Sequence, residues 1–200
     1  MQEVVKEYQE YASKIGDRKS IYEKVVDKYN IKTAIYPGSH IDISPSFIIP
    51  NVTYVDNFKG TIKFFKNIDK IINYVEENKE YQDTVKVSFI GENYKNLNHT
   101  EKVDLIISQY AGFVGQDTKH LLKVGGILFA NDSHGDATLA FLDSDYELIG
   151  VMNTNIETNN LDSYFTRKNN EAINRENVLK TMQGPKYNKK AQNYIFKKVK

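Results

Sequence analysis

The chain has 200 residues, 40% of them hydrophobic and 26% charged, with a net charge of +1, a composition that suits one globular domain with a sizeable core. It has no cysteine, which excludes disulfides, thiolate catalysis and cysteine-based zinc sites. No apolar run reaches the roughly 18–20 residues of a membrane span, and the acidic start Met1–Glu7 does not read as a secretory signal, so a cytoplasmic protein with no membrane partner is expected.

The elements follow in chain order. Val4, Val5, Tyr8, Tyr11, Ala12 and Ile15 recur at helical steps. Gly16-Asp17 breaks the pattern, and Ser20 can cap a second helix carrying Ile21, Tyr22, Val25, Val26 and Tyr29. Short apolar strands are expected at Thr33–Tyr36 and Val52–Val55. One amphipathic helix is expected over about Thr61–Asn78, then strands at Val85–Ile90 and Val103–Ile107. A helix near Gln116–Lys123 is expected to stop at Gly125-Gly126, ahead of a fifth strand at Ile127–Ala130. A short helix over Asp136–Leu142 follows, then strands at Tyr146–Met152 and Tyr194–Val199. The polar stretch 153–193 between these two is helical near Asn170–Met182.

The fourth and fifth strands are almost continuously apolar, the pattern of strands buried on both faces of a parallel sheet. Ligands of such sheets bind beyond the carboxyl ends of the strands. Those ends are polar: Gly38-Ser39-His40, Asp56-Asn57, Gly91-Glu92-Asn93, Ser108-Gln109-Tyr110 and Asn131-Asp132-Ser133-His134. Charge gathers at the other end of the chain. From Ser163 onward, Arg167, Lys168, Arg175, Lys180, Lys186, Lys189, Lys190, Lys197, Lys198 and Lys200 face only Glu171 and Glu176. Such a segment is either a solvated surface or a contact for nucleic acid or another acidic partner.

Four features together resemble the class I S-adenosylmethionine-dependent methyltransferases. They are the strand and turn Ile35-Tyr36-Pro37-Gly38-Ser39, the strand ending in an acid at Tyr54-Val55-Asp56, the passage Lys119–Phe129 with its Gly125-Gly126, and the two closing strands. The resemblance spans about residues 30–200 and rests on order and spacing. It departs from the family in two places, with His40 where a second glycine is common and Val124 where a proline is common. It implies a doubly wound, mostly parallel Rossmann-like α/β sheet with helices on both faces and a C-terminal antiparallel pair. Residues 1–200 are then a single domain, with N-terminal helices in 1–30 and an insertion at 153–193.

The same resemblance implies S-adenosylmethionine as cofactor, with Tyr36, Gly38, Ser39, Asp56, Asn57, Glu92, Asn93, Ser108 and Gln109 as its expected contacts. Gly38 lets the backbone approach a ligand without a Cβ. Asp56 can accept from both ribose hydroxyls or cap the next helix. Glu92 or Asn93 can reach the adenine or simply face solvent. Asp132 and His134 are the acid–base candidates, His134 to take a proton from an attacking hydroxyl or amine and Asp132 to orient it or coordinate a cation. No metal site is expected. The absence of Asn/Asp-Pro-Pro-Tyr/Phe lowers the case for amino groups of nucleic-acid bases, and a small-molecule acceptor of unknown identity is expected. A catalytically silent binding module of the same fold is the alternative. A nicotinamide-dependent oxidoreductase is disfavoured because Gly-x-Gly-x-x-Gly is missing. Nothing in the residues indicates the oligomeric state.

Overall fold

The computed structural model describes residues 3–16, 18–98 and 101–200. The chain divides into two compact units, Met1–Leu97 and Asn98–Lys200.

The first unit opens with helices α1 (Glu3–Ile15) and α2 (Lys19–Tyr29), as the periodicity predicts. They bury Val4, Tyr8, Tyr22 and Val25. Arg18, not Ser20, stands at the N-cap of α2, and no side chain caps it; Asp17 lies outside the described residues. Strands β1 (Thr33–Pro37), β2 (Asn51–Val55) and β3 (Lys86–Ile90) pair in parallel in the order β3-β2-β1. The link from β1 to β2 holds only a 3-10 turn, Ser44–Phe47.

The helix expected over 61–78 is two helices, α3 (Lys59–Phe65) and α4 (Ile68–Asn78). Of the stripe Ile62, Phe65, Ile68, Ile72, Val75, Phe65 and Val75 are buried and the three isoleucines are half-buried. α3 buries Thr61, Phe64 and Phe65, whereas α4 buries Ile71 and Val75. Both sets keep one helical period, and the turn residues Lys66-Asn67 separate the two helices. Phe65 stacks on Phe89 of β3, with ring centroids 4.3 Å apart. Burying a side chain of this kind stabilises the fold by about 1.5–3 kcal/mol.

The second unit contains β4 (Val103–Ser108), α5 (Val114–Asp117), β5 (Leu122–Ala130), α6 (Asp136–Phe141), β6 (Tyr146–Met152), β7 (Ile156–Glu157), α7 (Arg175–Thr181) and β8 (Asn193–Lys198). Its strand order is β4-β5-β8-β6-β7. β4 and β5 are parallel, and the remaining pairs are antiparallel. The closing pair β6/β8 is therefore present, with β7 added at the edge. The helix expected at 116–123 is a single turn plus a 3-10 turn, and Gly125-Gly126 lies inside β5. Gly125 has φ +84, and the β4/β5 register shifts between Val103 and Leu105. The pair of glycines thus marks a bulge and not a helix end.

The strands are mostly parallel in β1–β5 and antiparallel at the C-terminus, the Rossmann-like α/β class that the order of elements predicts. Among the described residues no helix is long and apolar enough to cross a membrane. Part of the basic C-terminal segment is spent inside the second unit. Lys198 Nζ donates to the carbonyls of Lys119 (2.9 Å) and Leu122 (3.0 Å). Arg167 pairs with Glu171 at 2.8 Å and Lys189 with Glu157 at 3.6 Å.

Candidate functional site

In the first unit the carboxyl ends of the strands are held level. Gly38 N–H donates to the Val55 carbonyl (2.7 Å) and Asp56 N–H to that of Ile90 (3.2 Å). Gly38 has φ +65 and His40 φ +49, a left-handed turn that costs a non-glycine residue about 1–2 kcal/mol. Asp56 compensates for it. Its Oδ2 accepts from His40 N–H (2.9 Å) and its Oδ1 from Phe58 N–H (2.8 Å). The carboxylate therefore ties the β1 turn to the β2 turn, and each oxygen keeps lone-pair capacity for a further donor. Asp56 does not cap α3, whose N-cap is Phe58.

The His40 ring lies between Tyr11 (centroids 4.9 Å) and Phe58 (5.9 Å, interplanar angle 24°). Phe58 remains 57% exposed. It offers a flat apolar surface beside Asp56 and Asn57, and it carries no motif by which the sequence could have revealed it. Glu92 is exposed, and Asn93 Oδ1 accepts from Lys95 N–H at 3.0 Å. The side chains of Tyr36 and Ser39 are used internally. Arg18 Nη1 donates to the Tyr36 hydroxyl (3.1 Å), which donates to Asp42 Oδ2 (3.3 Å). Ser39 Oγ donates to the His40 carbonyl at 3.1 Å. Both residues can meet a ligand only through backbone.

In the second unit, Ser108 and Gln109 are likewise committed. Ser108 Oγ donates to Asp136 Oδ2 (2.6 Å), which also accepts from Gly115 N–H (2.8 Å). Gln109 Nε2 donates to Asn193 Oδ1 (2.9 Å) and its Oε1 accepts from Asn131 Nδ2 (3.1 Å). These bonds lock the ends of β4, β5 and β8 together. Tyr110, with φ +59 and 63% exposure, then projects from the end of β4.

A cavity of about 260 Å³ opens here, lined by Tyr110, Asn131, Asp132, Ser133, Gly184, Pro185, Tyr187, Lys190, Ala191, Gln192 and Tyr194. Asp132 is part of it and His134 is not. The expected Asp132–His134 pair does not form. Asp132 accepts from Thr138 instead, Oδ1 from its N–H and Oδ2 from its hydroxyl, both at 2.8 Å. His134 Nδ1 meets Ser133 Oγ at 3.0 Å. Burial lifts the Asp132 carboxyl above its ordinary range, while the Thr138 bonds and the Lys190 charge pull it back. Among the described residues no group of three or more His, Asp or Glu side chains could hold a metal ion.

Seven of the eleven lining residues come from the 184–194 segment, which the sequence shows only as a polar stretch with tyrosines. Gly184 makes the closure possible. A Cβ at this position would run into the Asp132 carboxylate and come within 2.8 Å of Thr138 Oγ1. Gly184→Ala is therefore expected to lower unfolding free energy by about 1–3 kcal/mol, as overpacking does. Urea denaturation measures it, and a midpoint equal to the wild type would refute the tight fit.

No family model matches the sequence, and no curated protein matches it. Solved structures do resemble its fold. A methyltransferase from Geobacter sulfurreducens aligns with a TM-score of 0.51 at 11% identity, covering 76% of this chain and 84% of that one. TehB from Haemophilus influenzae aligns with a TM-score of 0.51 at 13% identity, covering 89% of this chain and 61% of that one. At such identities the likeness is one of fold, and the fold is that of Rossmann-like methyltransferases.

Proposed function

We propose that the chain is an S-adenosylmethionine-dependent methyltransferase acting on a small molecule, with residues 1–200 working as one domain. The observation that carries this is Asp56, a carboxylate held rigidly at the end of β2 by two backbone amides and still able to accept from a ligand. When bound, the cofactor supplies a methyl group already activated by the positive charge on its sulfur. The chain's residues have the simpler tasks of binding, alignment and proton removal. Asp56 would receive the ribose hydroxyls, Phe58 would pack against the adenine, and Asn57, Glu92 and Asn93 would supply polar contacts around it. Gly38 and Ser39 would contribute backbone and shape.

One observation favours the silent-module reading. The His40 ring fills the turn between Tyr11 and Phe58, and its Nδ1 is buried with no hydrogen-bond partner among the described residues. Calorimetric titration with S-adenosylmethionine and S-adenosylhomocysteine separates the two readings. Micromolar binding, weakened at least tenfold by Asp56→Ala and by Phe58→Ala in folded variants, is the expected result. No heat and no thermal stabilisation at millimolar ligand would sink the enzyme reading. Attention would then pass to the basic C-terminal segment, whose contact with an acidic partner would weaken steeply with salt.

A further inference from the structure

We infer that Tyr187, Thr138 and Asp132 form a proton relay that opens on a pocket for a small hydroxylated ring compound bearing an anionic group. This rests on the methyltransferase reading and names its acceptor class. The geometry begins with the Tyr187 hydroxyl, which lies 2.8 Å from Thr138 Oγ1, itself 2.8 Å from Asp132 Oδ2. A carboxylate can only accept, so the single Thr138 hydroxyl proton points to Asp132. Thr138 Oγ1 must then accept from Tyr187. The Tyr187 proton is thus turned inward, and the free lone pairs of a side chain lining the cavity are left for a donor in the pocket.

An acceptor hydroxyl placed there gives its proton to the Tyr187 oxygen. The Tyr187 proton passes to Thr138, and the Thr138 proton passes to Asp132. Three O–H bonds break and three form, and the electron pair stays on the acceptor oxygen, which becomes the nucleophile. Tyr187 is the catalytic contact, with Thr138 and Asp132 behind it. The backbone bond from Thr138 N–H to Asp132 Oδ1 and the close approach of Gly184 hold the carboxylate in line. Burial, by lifting the Asp132 carboxyl, makes it the better final proton acceptor.

The walls define the ligand. Tyr110, Tyr187 and Tyr194 present rings, and a volume of about 260 Å³ is below that of drug-sized pockets. Lys190 lines the same cavity, where its charge also acts on the Asp132 carboxylate. A flat ring, a hydroxyl toward Tyr187 and an anionic group toward Lys190 satisfy all three features.

The chromogenic probe 4-hydroxy-3-nitrobenzoate tests this with the full chain, because its absorbance reports phenol ionisation. Below its solution pKa, the wild type is expected to bind the probe and raise its phenolate absorbance. Lys190→Ala should weaken binding at least fivefold. Thr138→Val should bind within about twofold of wild type yet leave the absorbance unchanged. Tyr187→Phe, which also removes the link, stands in if the first variant does not fold. No binding, or the same absorbance rise in the wild type and the relay variants, would overturn the inference. Calorimetry with S-adenosylhomocysteine on the same preparation keeps the two readings apart: its success beside a failed probe sinks only the relay, and its failure sinks the methyltransferase reading.

Discussion

Asp136→Asn is expected to remove a large pH dependence from the stability of this protein. Asp136 is 1% exposed at the start of α6. Its Oδ2 accepts two hydrogen bonds, but Oδ1 is buried with no partner among the described residues. Burial lifts the carboxyl from 3.8 to about 7, against the pull of the Ser108 and Gly115 bonds; the nearby Asp132 and Asp117 charges add to the rise. Between those two values the folded state holds a proton that the unfolded state has released. Stability therefore falls as pH rises, and the contribution present below 3.8 is lost above about 7. At about 1.4 kcal/mol per unit, the loss is somewhat over 4 kcal/mol. Asn is neutral throughout, and its side-chain oxygen can still accept from Ser108 and Gly115. Urea unfolding of both proteins at acidic and alkaline pH should show the variant gaining on the wild type by several kcal/mol. A difference independent of pH would refute a buried titrating Asp136.

Arg18→Ala carries the second large effect, in the first unit. Asp42 is 1% exposed, and Arg18 Nη1 lies 3.6 Å from its Oδ2. The Tyr22 and Tyr36 hydroxyls each lie 3.3 Å from the same oxygen, while Oδ1 accepts from Ser44 N–H and its hydroxyl. Burial still raises the Asp42 carboxyl above the ordinary range. Removing this cation strands a buried charge, which costs about 3–5 kcal/mol. The expected result is a loss of that size at neutral pH, partly restored by Asp42→Asn in the double variant. A loss under about 1 kcal/mol would mean that the tyrosine and serine hydroxyls alone satisfy the carboxylate.

Much of the scaffold was legible before any coordinates. The apolar runs at 103–107 and 127–130 announce buried strands because a parallel strand has no solvent face to mark with polar residues. The closing strands near 146–152 and 194–199 follow from the resemblance, and they do pair. The break at Lys66-Asn67 was not legible. Ile62, Phe65, Ile68, Ile72 and Val75 keep a helical period across it, so periodicity carries no sign of the turn there. Gly125-Gly126 was misread for a related reason, since a left-handed glycine serves a helix end and a strand bulge alike.

The candidate site divides in the same way. Asp56 and Asp132 stood out because strand ends with short acids are where such sheets bind ligands. Their partners did not. Thr138 and Tyr187 are 49 residues apart, and nothing in the local pattern of either reports the other. His134 looked like the partner of Asp132 because it is two residues away, but alternate residues on a turn need not face one another. By itself the sequence determined the element types, the order of the strands along the chain and the polar strand ends, all of which follow from local periodicity and turn chemistry. Only the tertiary structure decided which polar atoms those ends keep for a ligand. Hydrogen-bond partners are chosen by proximity in space, and burial obliges nearly every one of these groups to find a partner within the fold.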